Sequence, residues 1–234
     1  MKKNDFLIQY FEKRQSKIFK FFTIFLSILA ILWLLDKKMS SADFIAKINL
    51  EGIISDRRDL VDKINEIKEN PNFKGLIVVI NSPGGTFVSS KEIFDALEKV
   101  SNNVPTSAYI RELGTSGAYL ASLGVDKIFV NHGSITGSVG VILQTAELTS
   151  LLEKIGVEPI VIKSGSLKAV PNLVEKLDTE KLDYMKEIIK KLQNEFVGIV
   201  KQKRNLNNNS IEKISDGRIF TSKQALELNL IDFI

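Results

Sequence analysis

The 234-residue sequence contains no cysteine and only one histidine, His132. Without cysteine there are no disulfide bonds, no thiol nucleophile and no cysteine-based zinc site. With one histidine, neither a chelating histidine pair nor the H-E-x-x-H zinc motif is possible. The phosphate-binding patterns G-x-x-x-x-G-K-S/T and G-x-G-x-x-G do not occur either. These absences exclude the common metal, nucleotide and dinucleotide sites, so we expect no metal and no cofactor.

Positive charge is in excess only at the N-terminus. The chain carries 32 Lys and Arg against 28 Asp and Glu, a net charge of +4. Residues 1–20 contain six of these basic residues and two of the acidic ones, which accounts for the whole excess. The remaining residues are electrically balanced, which is unlike a basic nucleic-acid-binding surface. We therefore predict no nucleic-acid partner.

An uncharged apolar run, FFTIFLSILAILWLL, follows the basic segment at residues 21–35. A helix that starts at Ile18, with Lys20 snorkelling, would have about eighteen residues, near the lower limit for crossing a bilayer. The run is apolar all round, whereas a buried core helix is usually amphipathic. We predict a transmembrane signal anchor over residues 21–38, preceded by a basic cytoplasmic N-terminus over residues 1–20.

The position of the positive charge predicts the orientation of this anchor. Basic residues favour the cytoplasmic side, so the body of the protein would lie on the far side of the membrane, periplasmic or extracellular. A cleaved signal peptide is the alternative, because residues 40–42 (SSA) loosely resemble a small-residue cleavage site. That site lies behind three charged residues, and the basic segment is about twenty residues long, which favours an uncleaved anchor.

From residue 43 onward, short apolar runs alternate with segments of helical periodicity. Strands are predicted at residues 44–54, 75–81, 104–110, 127–131 and 159–163. Helices are predicted at residues 56–70, 87–100, 115–123, 146–156, 178–204 and 222–229. This alternation predicts one α/β domain over residues 43–234, with a mainly parallel sheet and flanking helices.

Two strand-to-helix junctions have unusual sequences, and α/β folds gather their sites at such junctions. The first, residues 81–85 (NSPGG), has paired glycines that leave backbone N–H groups free to bind an anion or oxyanion. The second, residues 114–118 (GTSGA), places Ser116 at the start of a helix, where a nucleophile would be placed. It is not the G-x-S-x-G elbow, because its last residue is Ala118. A plain turn at the first junction and an N-cap serine at the second remain alternatives.

A serine nucleophile needs a general base, and the sequence offers two kinds. His132 is the only imidazole, but it lies in a glycine-containing segment after a strand, where a loop role is more common. The other kind is a lysine that burial makes neutral near the working pH. Lys168, in the nearly uncharged stretch SGSLKAVP, is a candidate of this kind. Spacing alone does not choose among the lysines.

Taken together, these segments resemble the signal peptide peptidase A family of membrane-bound bacterial serine proteases, in its half-length form. The resemblance extends from about residue 43 to residue 234. It includes the blocks at residues 81–85, 115–119, 126–128, 134–142 (SITGSVGVI), 163–168 (KSGSLK) and 216–232 (DGRIFTSKQALELNLID). The NSPGG block is shared with the Clp protease proteolytic subunit, whereas the TGSVGV and DGR blocks in this order are specific.

The resemblance implies a fold like that of crotonases and Clp protease, with a Ser/Lys dyad. Ser116 matches the nucleophile, Lys168 matches the general base, and Ser138 matches a serine that helps to orient the lysine. Half-length relatives form ring-like assemblies with shared active sites, so Lys168 is expected to be able to serve Ser116 of another subunit.

The oxyanion hole is the third part of the site that the resemblance implies. Gly84 or Gly85, together with Gly117, would supply its N–H groups. Two residues depart from the family pattern: Ala118 stands where a second glycine is usual, and Ala169 stands where aspartate is common. The first change affects the turn or pocket near the nucleophile, and the second affects the contacts of the lysine.

The function that this resemblance implies is a membrane-anchored serine endopeptidase. It would hydrolyse cleaved signal peptides and other apolar peptide fragments, as a ring-like homo-oligomer on the outer side of the membrane. One alternative is a catalytically silent homologue that acts as a membrane scaffold or regulator, for which Ala118 is the only support. The other is a crotonase-like acyl-CoA enzyme, although such enzymes are soluble and lack this Ser/Lys pairing.

Overall fold

A computed structural model of the protein describes residues 17, 19–34 and 42–234. The chain divides into two compact units, Met1–Phe44 and Ile45–Ile234. Most of the basic segment predicted at residues 1–20 lies outside the described residues, as do residues 35–38 of the predicted anchor. The predicted boundaries at residues 20, 38 and 43 therefore stay predictions.

In the first unit, residues 19–34 form a helix, α1. Its two polar side chains return hydrogen bonds to its own backbone: Thr23 Oγ1 donates to the Lys20 carbonyl at 2.9 Å, and Ser27 Oγ donates to the Thr23 carbonyl at 2.8 Å. Among the helices that the structure describes, none is both long enough and apolar enough to cross a bilayer. The anchor and the cellular location stay predictions.

The second unit alternates strands and helices. Its strands are β1 (Phe44–Ile54), β2 (Phe73–Gly85), β3 (Thr106–Thr115), β4 (Lys127–Val130), β5 (Ile135–Gly137) and β6 (Ile219–Thr221). Its helices are α2 (Arg58–Lys68), α3 (Phe87–Ser101), α4 (Gly117–Ser122), α5 (Thr149–Lys154), α6 (Thr179–Arg204), α7 (Asn208–Glu212) and α8 (Ser222–Glu227).

One sheet joins all six strands in the order β1-β2-β3-β5-β6, with β4 paired to β3. The pairs β2–β3, β3–β4 and β3–β5 are parallel, and β5–β6 is antiparallel. The core lies where alternate residues of β2, such as Val78 and Ile80, meet the apolar faces of α3 and α4. The predicted α/β class, with a mainly parallel sheet and flanking helices, is confirmed.

The prediction of a strand at residues 159–163 is wrong. These residues form no strand in the described part of the chain, and the side chains of Ile160 and Ile162 are 87% and 94% exposed. A β-branched run becomes a strand only when a neighbouring strand or a core face packs against it. The helix predicted at residues 146–156 is also shorter, since only Thr149–Lys154 is helical. All residues from 153 to 162 are exposed, although the sequence of this segment is largely apolar.

The C-terminal residues are fixed to the core by polar contacts. Asp232 accepts a hydrogen bond from the Ile128 N–H at 2.8 Å and forms an ion pair with Arg204 at 3.0 Å. The hydroxyl of the fully buried Tyr119 donates to the Leu230 carbonyl at 2.9 Å. These bonds attach the end of the chain to β4 and to α4, the helix that follows Ser116.

We predict that Asp232→Asn makes the free energy of unfolding less dependent on pH in the acid range. Burial alone would raise the pKa of Asp232, but the Ile128 N–H and the Arg204 charge outweigh it and hold the pKa below its ordinary value. Stabilisation from a lowered carboxyl pKa is complete above the unfolded-state value and is lost as the pH falls through the folded-state value. The variant should lose about 1–2 kcal/mol of unfolding free energy at pH 7.

Urea unfolding in detergent solution, followed by circular dichroism at pH 7 and pH 3, measures this loss. The loss should shrink at the lower pH. Asp183→Asn is the matched control, because Asp183 pairs with Lys186 at 3.3 Å with both side chains about two-thirds exposed. It should change stability by less than about 0.5 kcal/mol. A loss in Asp232→Asn that is equal at both pH values would contradict the prediction.

Candidate active site

The carboxyl ends of three neighbouring strands meet at one edge of the sheet. In the register of β2 with β3, Ser82 pairs with Gly114, and in that of β3 with β5, Thr115 pairs with Gly137. The next residues along the chain are therefore brought together, although they come from distant parts of the sequence. This edge contains both junctions singled out in the sequence and the turn that contains Ser138.

Ser116 occupies a sharp turn between β3 and α4. Its φ is 54° and its ψ is −124°, a conformation that is strained for a residue with a side chain. The Ser116 N–H donates to the Gly137 carbonyl at 2.8 Å, which fixes the turn against β5. Although Ser116 is the N-cap residue of α4, its side chain accepts no capping hydrogen bond. The Ser116 hydroxyl is therefore not used in capping the helix, which leaves it available for chemistry.

The three predicted oxyanion glycines lie against one another and against this turn. A Cβ on Gly84, whose φ is +94°, would lie 2.6 Å from the Gly117 nitrogen and 2.9 Å from the Ser116 Cβ. A Cβ on Gly117 would lie 3.2 Å from the Gly85 nitrogen. The Gly84 N–H already donates to Ser82 Oγ at 3.1 Å, whereas Gly85 and Gly117 both line the adjacent cavity. Of the two alternatives, Gly84 and Gly85, the geometry favours Gly85.

We predict that Gly85→Ala both destabilises the protein and lowers its activity. The added methyl would lie 1.8 Å from the Ile54 carbonyl oxygen, a backbone atom that also accepts the Thr86 N–H at 2.7 Å. The strand or the turn must move, at a cost of about 1–3 kcal/mol. Gly165→Ala is the matched control, since its methyl would meet nothing within 4 Å and its φ is not positive.

Thermal unfolding and peptide hydrolysis measure both effects of the two glycine substitutions. Gly165→Ala should leave the unfolding temperature close to that of the wild type. If the two variants unfold at the same temperature, the close approach of Gly85 to β1 does not constrain the fold.

Ser138 lies on a second strained turn, which follows β5. Its φ is 53°, and the preceding Gly137 has a φ of +87°. The Ser138 N–H donates to the Arg218 carbonyl at 2.8 Å, so the segment before β6 fixes the position of this turn. Ser138 and Ser116 line the same cavity.

Three hydroxyl groups that the sequence analysis did not single out connect these turns. Ser82 Oγ donates to the Gly52 carbonyl at 2.6 Å, Thr115 Oγ1 to the Pro83 carbonyl at 3.1 Å, and Thr136 Oγ1 to the Gly114 carbonyl at 2.7 Å. All three residues are buried. Their only sequence signal was their position within or beside the motifs, since a serine or threonine in a strand can equally face solvent.

The cavity beside Ser116 has a volume of about 480 Å³ and is mostly apolar. Its apolar side chains come from α3, α4 and α6 and from the segment after Ser138. They include Phe87, Leu120, Val141, Ile188, Leu192 and Phe196. None of the described residues that line it has an ionisable side chain. The cavity can therefore accept an apolar side chain, but its lining within the described part of the chain supplies no general base.

Lys168 is not among the residues that line this cavity. It is exposed, in a turn over residues 164–169, where its N–H donates to the Gly165 carbonyl at 3.1 Å. An ion pair between Lys163 and Glu175, at 2.7 Å, lies next to this turn, and hydrogen bonding to Lys163 lowers the pKa of Glu175. The turn thus has a defined shape, but it does not bring Lys168 into the lining of the cavity beside Ser116.

His132 does not reach the site either. It is exposed in the turn between β4 and β5 and does not line the cavity. Within the described residues, no group of His, Asp and Glu side chains could bind a metal ion. Of the predicted site residues, Ser116, Ser138 and the glycines thus come together, and Lys168 lies apart.

Sequence comparison finds relatives that are named as proteases. The profile of peptidase family S49 matches residues 98–234. The chain is 39% identical over 196 residues to a predicted protease of Synechocystis sp., covering 83% of this chain and 71% of that protein. It is 31% identical over 204 residues to a predicted signal peptide peptidase of Enterococcus faecium, covering 81% of this chain. The chain spans 59% of the length of the Enterococcus protein.

Structural comparison matches the fold to that of Clp protease. A ClpP1 variant of Listeria monocytogenes superposes with a TM-score of 0.56 at 12% sequence identity. The match covers 86% of this chain and 95% of that structure. The Clp-protease-like fold implied by the sequence blocks is therefore confirmed.

Proposed function

The chain belongs to peptidase family S49, and we propose on this basis that it is a serine endopeptidase with Ser116 as the nucleophile. The observation that carries the proposal is the strained turn at Ser116, whose hydroxyl makes no capping bond and lies at the edge of an apolar cavity. The same cavity is lined by Gly85, Gly117 and Ser138. Strain of this kind is retained where the surrounding structure needs a side chain in one exact place.

In the proposed reaction, Ser116 Oγ attacks the carbonyl carbon of a peptide bond and passes its proton to a neutral lysine. The lysine then gives that proton to the leaving amine, and water hydrolyses the acyl-enzyme. The Gly85 and Gly117 N–H groups donate to the oxygen that becomes negative in the tetrahedral intermediate. Each such donor contributes about 3 kcal/mol to the stabilisation of the transition state.

We propose that the lysine is Lys168 of a neighbouring subunit in a ring-like homo-oligomer. Among the described residues, none that lines the cavity of a single chain could act as a base, and Lys168 lies in an exposed turn with a defined shape. The segment before this turn exposes two large apolar side chains in the single chain, since Ile160 is 87% and Ile162 is 94% exposed. Exposed apolar surface of this kind marks a protein–protein contact. Such a contact would bring Lys168 to a partner.

The proposed substrates are cleaved signal peptides and other apolar peptide fragments. The cavity beside Ser116 supports this choice, because apolar side chains dominate its lining and no charged side chain of the described residues would repel or select a charged substrate there. Burial of an apolar substrate side chain contributes about 1.5–3 kcal/mol, enough to orient a peptide. The name of the Enterococcus relative, a signal peptide peptidase, agrees with this substrate class.

We further propose that the chain is anchored in the bacterial inner membrane by residues 21–38, with its N-terminus in the cytoplasm and its catalytic domain outside. The basic residues at positions 1–20 and the uncharged run at residues 21–35 support this orientation. Signal peptides are left in the membrane after secretion, so an anchored peptidase would meet them where they accumulate.

The alternative of a catalytically silent homologue depends on Ala118. Ala118 is fully buried within α4 and has no positive φ, so the helix accommodates its methyl group without strain. Its methyl group is not part of the cavity lining, and this favours the active enzyme. Labelling with a fluorophosphonate, which reacts covalently with activated serines, separates the two possibilities. A peptidase gives a Ser116-dependent adduct, whereas a silent homologue or an acyl-CoA enzyme gives none.

A further inference from the structure

The Gln193 side chain of α6 connects two segments beside the candidate active site. Its Nε2 donates to the Val139 carbonyl at 3.1 Å and to the Ser215 carbonyl at 2.9 Å. Both partners are backbone carbonyls, which only accept hydrogen bonds, so the amide nitrogen and not its oxygen must face them. The two N–H bonds of the amide are thus both used, and the side chain has one defined orientation.

The two bonded carbonyls belong to the segments that position Ser138. Val139 follows Ser138 directly, and Ser215 begins the segment that leads to Arg218, whose carbonyl accepts the Ser138 N–H at 2.8 Å. The two segments also touch through their glycines, because a Cβ on Gly140 would lie 3.2 Å from the Gly217 Cα. Gln193 therefore links the turn at Ser138 to the strand connection that fixes it.

The other end of the amide indicates which property of Gln193 matters. Its Oε1 is buried and is the single side-chain nitrogen or oxygen in the described residues that is buried without a hydrogen-bond partner. A buried acceptor without a partner is unfavourable, and an apolar side chain of the same length would avoid it. The two N–H donors are therefore the only advantage that glutamine has at this position over an apolar side chain of the same length, such as methionine.

We infer that Gln193 is a positioning residue for Ser138 and acts through the Val139 carbonyl. This inference depends on the proposed function, in which Ser138 orients the lysine that takes the proton from Ser116. Without the two hydrogen bonds, the Val139 and Ser215 carbonyls lose their common partner and the two segments can move apart. The apolar cavity and the Ser116 turn remain, so substrate binding is affected less than the chemical step.

Gln193→Met tests the inference, because methionine has the same length but no donor. We expect kcat for an apolar fluorogenic peptide to fall about 10- to 100-fold, as for other misplaced catalytic groups. KM should change by less than about threefold, since the lost interaction acts in the transition state. Gln193→Glu keeps the shape of glutamine, but its carboxylate donates nothing, so it should lose at least as much kcat. Gln202→Met, the same change at an exposed position of α6, should behave as the wild type.

All rates are expressed per active site, counted by titration of the full chain with a fluorophosphonate, so that unfolded protein does not contribute. If Gln193→Met lowers only the thermal stability and the number of active sites, with kcat per site unchanged, the residue is structural and the inference is wrong. The inference is also wrong if kcat/KM falls only because KM rises, with kcat unchanged. If the wild type itself shows no Ser116-dependent labelling, the proposed function fails, and the inference fails with it.

Discussion

Replacing Ser116 with alanine will abolish the covalent labelling of the protein by a fluorophosphonate and lower peptide turnover by about 10³- to 10⁶-fold, the range expected when a serine nucleophile is removed. The reason is that the cavity offers no second nucleophile in the same place. The only other hydroxyl groups among its described lining residues are those of Thr86 and Ser138. Thr86 Oγ1 already donates to the Ser55 carbonyl at 3.1 Å, and Ser138 follows a different strand. Mass spectrometry of the labelled peptide and hydrolysis of an apolar peptide measure the two effects.

Lys168→Ala should lower turnover by a similar factor, because Ser116 is a weak nucleophile until a base removes its proton. His132→Ala is the matched control, since His132 is exposed and does not line the cavity, and it should retain wild-type turnover. Turnover of the wild type should rise with pH, because a lysine accepts a proton only in its neutral form. If His132→Ala is inactive while Lys168→Ala is active, the Ser/Lys mechanism is wrong.

The sequence predicted the parts of this fold that depend on local pattern. The strand predicted at residues 44–54 has the same bounds as β1, and the helix predicted at residues 178–204 matches α6 with Asp178 as its N-cap. The long periodic face of α6 and the alternation in β1 are both properties of neighbouring residues, so they can be read without knowing the fold. The NSPGG block, which was predicted as a junction after a strand, belongs to the end of β2 itself, because this strand extends to Gly85.

The features that were missed depend on distant contacts. Strands β5 and β6 have three residues each, too few for a periodic pattern, and they exist because β3 provides an edge for β5. The run at residues 159–163 has strand-like residues but no neighbouring strand in the described chain. Gln193 carried no signal at all, because its two partners lie 54 and 22 positions away.

The separation between Ser116 and Lys168 could not be derived from the spacing of the two residues, although the family resemblance implied that a lysine could come from another subunit. Both residues match their motifs, yet only one of them lines the cavity of its own chain. A motif records which residues a site uses and not which copy of the chain supplies them. The exposed apolar segment around Lys168 is the structural reason for assigning the base to a neighbour.

Mixing two inactive variants should therefore restore activity. In a ring with head-to-tail contacts, each site combines Ser116 of one subunit with Lys168 of the next. When Ser116→Ala and Lys168→Ala chains assemble at random in equal amounts, about a quarter of the sites receive an intact serine and an intact lysine. We expect about a quarter of wild-type turnover, from two variants that are each almost inactive alone.

Co-expression of the two chains with different affinity tags, followed by tandem purification and peptide hydrolysis, measures this recovery. The matched control pairs Ser116→Ala with a chain that carries both substitutions. It assembles in the same way but contains no intact serine, so it should stay inactive. Recovery in the first mixture and none in the control requires a site shared between subunits, because each chain of the active mixture lacks one half of the dyad. If purified mixed oligomers remain inactive, the lysine must come from the same chain as the serine. The turn at residues 164–169 would then have to move towards the cavity when substrate binds.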